Sequence, residues 1–288
     1  MKGIIKFTLW IALATVLMAN IGCAQSCSYS IIQHQLENNE IDEASGIAAS
    51  HDTPGLLYTH NDSGGEPLVY VLNGLAMLAA RLHLQDASNI DWEDIAVSPH
   101  PQTGNSCIWV GDIGDNKAKR NSVVVYRFEE PAITDTAIII TDYDRIHIQY
   151  DDGARDAEAL FIDPLSGDIC IISKREEAVG FYRVAYPYSL IQPNTAIKEA
   201  TLPLTYVVAA DISPDGEKIL VKTYSDIYLY KRNPGKSIAK ALTGKPSQVP
   251  YQLEPQGEAV TWDAEGKGYW TLSESAKGIP ATLYHYHR

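Results

Sequence analysis

Residues 68–73 read LVYVLN, and four later stretches repeat the design: VVYRFE (124–129), GFYRVA (180–185), DIYLYK (226–231) and TLYHYH (282–287). Their tyrosines, Tyr70, Tyr126, Tyr182, Tyr228 and Tyr284, lie 56, 56, 46 and 56 residues apart. A period near fifty residues, with several short strands in each unit, predicts a β-propeller. A propeller gathers equivalent loops from every blade around one central channel, so chemistry is expected there. An aromatic at one strand position in every unit is expected to pack between blades.

Around each tyrosine run, apolar alternation and turn residues mark three more strands. The innermost are SGIAAS (45–50), EDIAVS (93–98), EALFID (158–163), ADISPD (210–215) and EAVTWD (258–263). Second strands are LLYTHN (56–61), IWVGDI (108–113), CIISKR (170–175), ILVKTY (219–224) and YWTLSE (269–274); the tyrosine runs are third. Fourth strands are MLAARLHL (77–84), RIHIQY (145–150), AIKEATL (196–202) and SIAKALT (237–243). The fifth repeat has no fourth strand before Arg288, whereas SYSIIQHQ (28–35) is a strand without a repeat. It is expected to complete the last blade and cover an open edge. The expectation is an all-β, five-bladed propeller of four-stranded antiparallel blades, one domain over residues 28–288. Six blades is the alternative if the stretch 93–158 holds extra strands.

The first residues read as a leader. Lys2 and Lys6 precede the apolar run FTLWIALATVLMA (7–19), too short to span a bilayer and suited to a signal peptide over residues 1–22. Cys23 abuts the end of this segment and is the candidate lipidation site, with 23–27 as a tether; signal cleavage after Ala24 is the alternative. The expected protein is therefore exported, either as a membrane-anchored lipoprotein of the cell envelope or as a secreted or periplasmic protein. Contact with the membrane is expected only through the anchor, and a monomer is expected. Removing residues 1–22 leaves 21 basic against 36 acidic residues, a net charge of −15. That argues against nucleic acid as partner, since phosphate backbones select basic faces. Of the four cysteines, Cys23 and Cys27 fall in the leader or tether, and Cys107 and Cys170 read as reduced core residues.

Aligned at their first residue, the inner strands form the column Ser45, Glu93, Glu158, Ala210, Glu258. Three carboxylates and a hydroxyl surround one axis; the carboxylates repel unless a cation joins them, and oxygen ligands without imidazole or thiolate select Ca²⁺ over zinc. This column resembles that of the five-bladed calcium-dependent apyrases, in which serine and glutamate residues at inner-strand starts hold a central calcium. Ala210 departs from that pattern, where a serine is expected. The phrases HNDSGG, DWEDIA, GDIGDN, DAEAL and QGEA resemble, over most of the mature chain, a family of bacterial propeller lipoproteins without an established activity.

Strands one and two are antiparallel, so the ends of the second strands return to the face of the metal column. They bring His60, Asn61 and Asp62 from blade one, and Asp112, Asp115 and Asn116 with Lys117 and Arg120 from blade two. Blade three supplies Lys174 and Arg175, blade four Lys222 and Tyr224, and blade five Ser273 and Glu274, while Asp91, Asp94 and Asp156 flank the inner glutamates. Acids on one side of a metal and fixed cations on the other suit phosphoryl chemistry. The expected catalytic residues are Asp62, His60 and Asp112. The expected substrate-binding residues are Asn61, Asp115, Asn116, Lys174, Arg175, Lys222 and Tyr224. The function expected is a calcium-dependent hydrolase of phosphate esters or anhydrides, acting on a small anionic substrate such as a nucleotide. The alternative is a non-catalytic propeller that captures an extracellular ligand, glycan or protein and carries a structural calcium. No Gly-x-Ser-x-Gly elbow, zinc spacing or phosphate-binding glycine loop is present.

Overall fold

The computed structural model describes residues 29–276 and 278–287; the signal peptide, Cys23, Cys27 and the tether lie outside the described residues. The described chain is all-β. Strand β1 (Ser30–Gln35) precedes five repeats. The first contains β2 (Ala44–Ala49), β3 (Leu56–Asn61), β4 (Leu68–Asn73) and β5 (Leu78–Leu84). The second contains β6 (Trp92–Pro99), β7 (Ser106–Asp112), β8 (Val123–Glu129), β9 (Ala137–Ile140) and β10 (Asp144–Tyr150). The third contains β11 (Ala157–Ile162), β12 (Ile169–Ser173), β13 (Gly180–Val184) and β14 (Asn194–Thr201). The fourth contains β15 (Val207–Ile212), β16 (Lys218–Thr223), β17 (Ile227–Lys231), the short helix α1 (Ile238–Leu242) and β18 (Ser247–Val249). The fifth contains β19 (Gly257–Trp262), β20 (Tyr269–Ser273) and β21 (Thr282–His287).

Apart from β9, consecutive strands of a repeat pair antiparallel, and β1 pairs antiparallel with β21, Ser30 opposite His287, as the sequence suggests. Strand β9 runs parallel along the outer edge of β5 instead, and β10 pairs parallel with β14. That second junction merges repeats two and three into an eight-stranded sheet, whose end strands β6 and β11 pack against each other. The first strands of the repeats touch in cyclic order: β2 on β6, β6 on β11, β11 on β15, β15 on β19, and β19 on β2.

The core has the same cyclic arrangement. Among the described residues, five apolar clusters are formed, each by two neighbouring repeats, including first with second and fifth with first. Each repeated tyrosine joins the cluster shared with the preceding repeat: Tyr126 shares one with Val69 and Val71, Tyr182 one with Trp109 and Val125, and Tyr70 one with Leu272 and Leu283. Tyr228 and Tyr284 pack at the rims of the next two clusters. The spacing of the tyrosines thus reflects packing between units. Cys107 and Cys170 are free and buried, as their apolar strands suggest.

Two strand expectations are corrected. Residues 237–243 form α1 rather than a strand: Ser237 caps it by accepting from the Lys240 amide, and the following Ala, Lys and Leu favour helix. The three-residue β18 takes the outer position of that repeat. The fourth inner strand is Val207–Ile212, three residues ahead of the expected 210–215. Among the described residues, no helix is long and apolar enough to cross a membrane.

Candidate cation site

The hairpin of strands one and two carries one irregularity at the same place in every repeat. The pairing slips by a residue between Ala44 and Gly46, Trp92 and Asp94, Ala157 and Ala159, Val207 and Ala209, and Gly257 and Ala259. The residues skipped are Ser45, Glu93, Glu158, Val208 and Glu258. A β-bulge leaves one residue outside the ladder and re-aims its side chain. The column expected from sequence is therefore a ring of bulge residues, with one correction. Its fourth member is Val208, not Ala210, which pairs regularly with Val221 two residues further on. With no carboxylate at the fourth bulge, the strand could not be aligned on charge.

Two residues before each bulge the chain enters from the end loop, at Glu43, Asp91, Asp156, Tyr206 and Gln256. Backbone bonds tie four of these entries to the ends of the second strands: Asp62 N to Glu43 O at 2.9 Å, and Gly114 N to Asp91 O, Lys174 N to Asp156 O and Glu274 N to Gln256 O, each at 3.1 Å. In repeats two and three the entry and the bulge residue are both acidic. Side chains two apart along an extended chain share a face, so Asp91 joins Glu93 and Asp156 joins Glu158.

The result is a chain of carboxylates. Oxygens of Asp62, Asp91 and Glu93 lie within 4.8 Å of one another, as do those of Glu93, Asp156 and Glu158, so Glu93 belongs to both groups. Asp62 and Asp91 are half-buried, while the other three are at most 5% exposed. Ser45 Oγ donates to Glu93 O at 2.9 Å and lies 3.4 Å from its Oε2. Lys174 pairs with Glu158 Oε1, whereas Glu158 Oε2 is buried and finds no partner among the described residues. Gly114 runs flush against this group, and a Cβ there would collide with the carboxylates of Glu93 and Asp91.

Burial and mutual repulsion raise these acids. Burial lifts Glu158 to about 8, against the pull of Lys174 and with a further push from Glu258. Glu93 is held well above the carboxylate range by burial and then by Glu158, Asp62 and Asp91. Burial raises Asp62 to about 6, helped by Asp91 and Glu258. Glu258 itself accepts from Tyr224 Oη at 2.5 Å and pushes the neighbouring Glu274, already raised by burial, to about 8. These side chains fit a hard divalent cation. The nearby donors are oxygens alone, one buried oxygen lacks any partner, and the charge is only partly compensated.

Not every residue expected at the site reaches it. His60 is fully buried, edge-on to Trp92 with centroids 5.6 Å apart, its Nδ1 3.0 Å from Asn61 O. Burial lowers it to about 4, so it is a neutral core residue. Asp112 is also fully buried; it accepts from the amides of Ile90 and Asp91 and pairs with Arg120 at 2.6 Å. Its role is to brace the turn that carries Asp91. Lys222 is fully buried between repeats four and five, bonded to Tyr251 Oη at 3.0 Å and to Gly257 O. Burial lowers it to about 8 despite Glu254 and Glu258. Asp115 accepts the amides of Lys119 and Arg120 and so folds its own loop, and Asn61 Nδ2 holds Glu40 O at 2.7 Å. Asn116 and Arg175 do meet, and Arg175 also pairs with Asp156. Lys174 Nζ lies 5.4 Å from the Tyr224 ring centroid.

Asp91 and Asp156 complete the two groups, although the sequence ranks them only as flanking residues. The signal was the doublet Asp-x-Glu, present at 91–93 and again at 156–158. The chain matches no protein-family model, and none of the curated proteins is significantly similar to it.

Proposed function

We propose that the protein is a five-bladed β-propeller that holds a calcium ion at one mouth of its central channel. The blade reading rests on the cyclic order of the inner strands and on one apolar cluster per pair of neighbouring repeats. Against six blades stands β9, which lies along β5 instead of founding a sheet of its own. The cation reading is carried by Glu158 Oε2, a buried carboxylate oxygen without a partner inside a group of acids. Leaving such an atom unsatisfied is costly, and a cation removes both that cost and the repulsion. Asp62, Asp91, Glu93, Asp156 and Glu158 would supply the oxygens, with Ser45 steadying Glu93. Glu258 would act from the far side, through charge.

Calorimetric titration of the metal-stripped protein tests this reading. Calcium is expected to bind, and Glu158→Gln to weaken binding at least about tenfold, the scale of one charged ligand. A wild-type protein that takes up no calcium would sink the proposal.

Hydrolysis of a small phosphate ester or anhydride is the second reading. It is favoured by Asp62, a half-buried carboxylate of the outer group that can take a proton near neutrality. Bound calcium would polarise a phosphoryl oxygen and acidify a coordinated water. Phosphate release from a nucleotide and phosphomonoester panel, with calcium and with EGTA, tests it; activity is expected to vanish in Asp62→Asn. No release alongside calcium binding would leave a propeller that captures a ligand and uses the ion structurally. The leader and Cys23 support export and lipid anchoring, and metabolic labelling with palmitate, lost in Cys23→Ala, would test the anchor.

A further inference from the structure

Two basic side chains already occupy part of the carboxylate group. Lys174 pairs with Glu158 Oε1, and Arg175 Nε pairs with Asp156 Oδ2, so two of the three acids in the inner group carry a side-chain cation. Arg175 is 45% exposed and reaches on to Asn116 Oδ1. Beside it lies a cavity of about 280 Å³, lined by Asn116, Arg155, Asp156, Arg175 and Glu176 among others. Arg155 is fixed in that wall by Asp152 and Glu176, yet its Nε is buried and has no acceptor among the described residues.

We infer that this cavity is an oxyanion site switched on by the cation, taking a phosphate-type dianion on Arg175 and Asn116, with Arg155 adding positive charge from the wall. The inference rests on the calcium reading above. Two arginines face three carboxylates in the wall, Asp115, Asp156 and Glu176, so its formal charge is −1. A divalent cation on Asp156 turns that to +1 and competes with Arg175 and Lys174 for their carboxylates. The released guanidinium, still beside Asn116, has a planar fork suited to a phosphate. Cation and anion binding are then coupled, and the coupling must be reciprocal.

The probe is methylphosphonate, titrated into metal-stripped and calcium-loaded full-length protein. Binding is expected only with calcium present. Arg175→Gln is expected to weaken phosphonate binding about tenfold, the value of one charge-assisted bond, and to tighten calcium binding several-fold because a competitor is gone. Lys174→Met should tighten calcium binding likewise, which guards against a folding defect in either variant. Calcium-dependent sedimentation with phosphatidic acid vesicles would identify a lipid headgroup as the source of the phosphate; phosphonate binding without vesicle binding would identify a soluble ester. If calcium binds and phosphonate does not, or binds equally without calcium, the coupling is overturned and the cation site stands. If calcium itself does not bind, it is the cation reading that fails.

Discussion

Glu93 and Asp94 are consecutive, carry the same group and are both at most 3% exposed, yet the fold treats them in opposite ways. Asp94 points among the inner strands, where its carboxylate accepts from its neighbour Ile95 N at 2.9 Å, from Leu160 N at 2.8 Å and from Ala210 N at 3.3 Å. It stitches repeats two, three and four together. Asp211 repeats the device one step on, joining Thr261 Oγ1 and Trp262 N of repeat five. Glu93 is the residue skipped at the bulge and lies among other carboxylates instead, with Ser45 Oγ beside it. Burial raises the pKa of both acids. The difference lies in donors: backbone amides satisfy Asp94, whereas Glu93 has Ser45 Oγ beside it and Glu158 pairs through Oε1 with Lys174 and leaves Oε2 without a partner among the described residues.

Breaking the axial half of the comparison should have the largest effect. Asp94→Ala leaves amides of three strands without an acceptor and is expected to cost about 3 kcal/mol, read by urea unfolding. An effect below about 1 kcal/mol would deny Asp94 its stitching role. Next comes the ligand: calcium at a hundredfold excess over its Kd is expected to stabilise the wild type by about 2.7 kcal/mol and to do little for Glu158→Gln. Without calcium the sign at the mouth reverses. Glu93→Gln removes repulsion among acids and should raise metal-free stability by about 1 kcal/mol, opposite to any change at Asp94. A Glu93→Gln protein less stable than the parent in EGTA would place Glu93 with the structural acids.

The pH dependence sharpens the same contrast. Carboxyls raised in the folded state, Asp62 to about 6 and Glu158 and Glu274 to about 8, bind protons that the unfolded chain has released. Metal-free stability should therefore fall as pH rises from about 5 to 8, the reverse of a protein held by salt-bridged acids. Lys222, lowered to about 8, acts in the window above that and does not mask the trend. Saturating calcium should flatten the slope, which thermal melts at four or five pH values would reveal. The smallest effect is expected at His60: His60→Gln should leave calcium affinity unchanged within about twofold, because the ring is buried against Trp92 and belongs to neither carboxylate group.

Much of the site was legible. The acids at 93, 158 and 258 could be aligned from turn and strand punctuation, and the doublets Asp91-x-Glu93 and Asp156-x-Glu158 announced two pairs on one face. The fourth repeat resisted because Val208 carries no charge to mark its bulge, so Ala210 took its place. Asp112 and His60 look catalytic in a polar string; nothing in that string reveals that Arg120 and two amides claim the first, or that Trp92 covers the second. Residues 237–243 failed for a local reason, since a serine cap before Ile-Ala-Lys-Ala-Leu outweighs the repeat.

By itself the sequence determined the number of repeats, the order of the first three strands within them and the seat of the repeated tyrosines, because strand periodicity and turn chemistry are local. Register lay beyond it. A one-residue bulge is invisible in a string, and it separates Glu93, which joins the carboxylates, from Asp94, which joins the amides of neighbouring strands. Which carboxylates find donors depends on amides 66 and 116 residues away, at Leu160 and Ala210. Only the closed arrangement of repeats brings those amides to Asp94 and withholds them from Glu158.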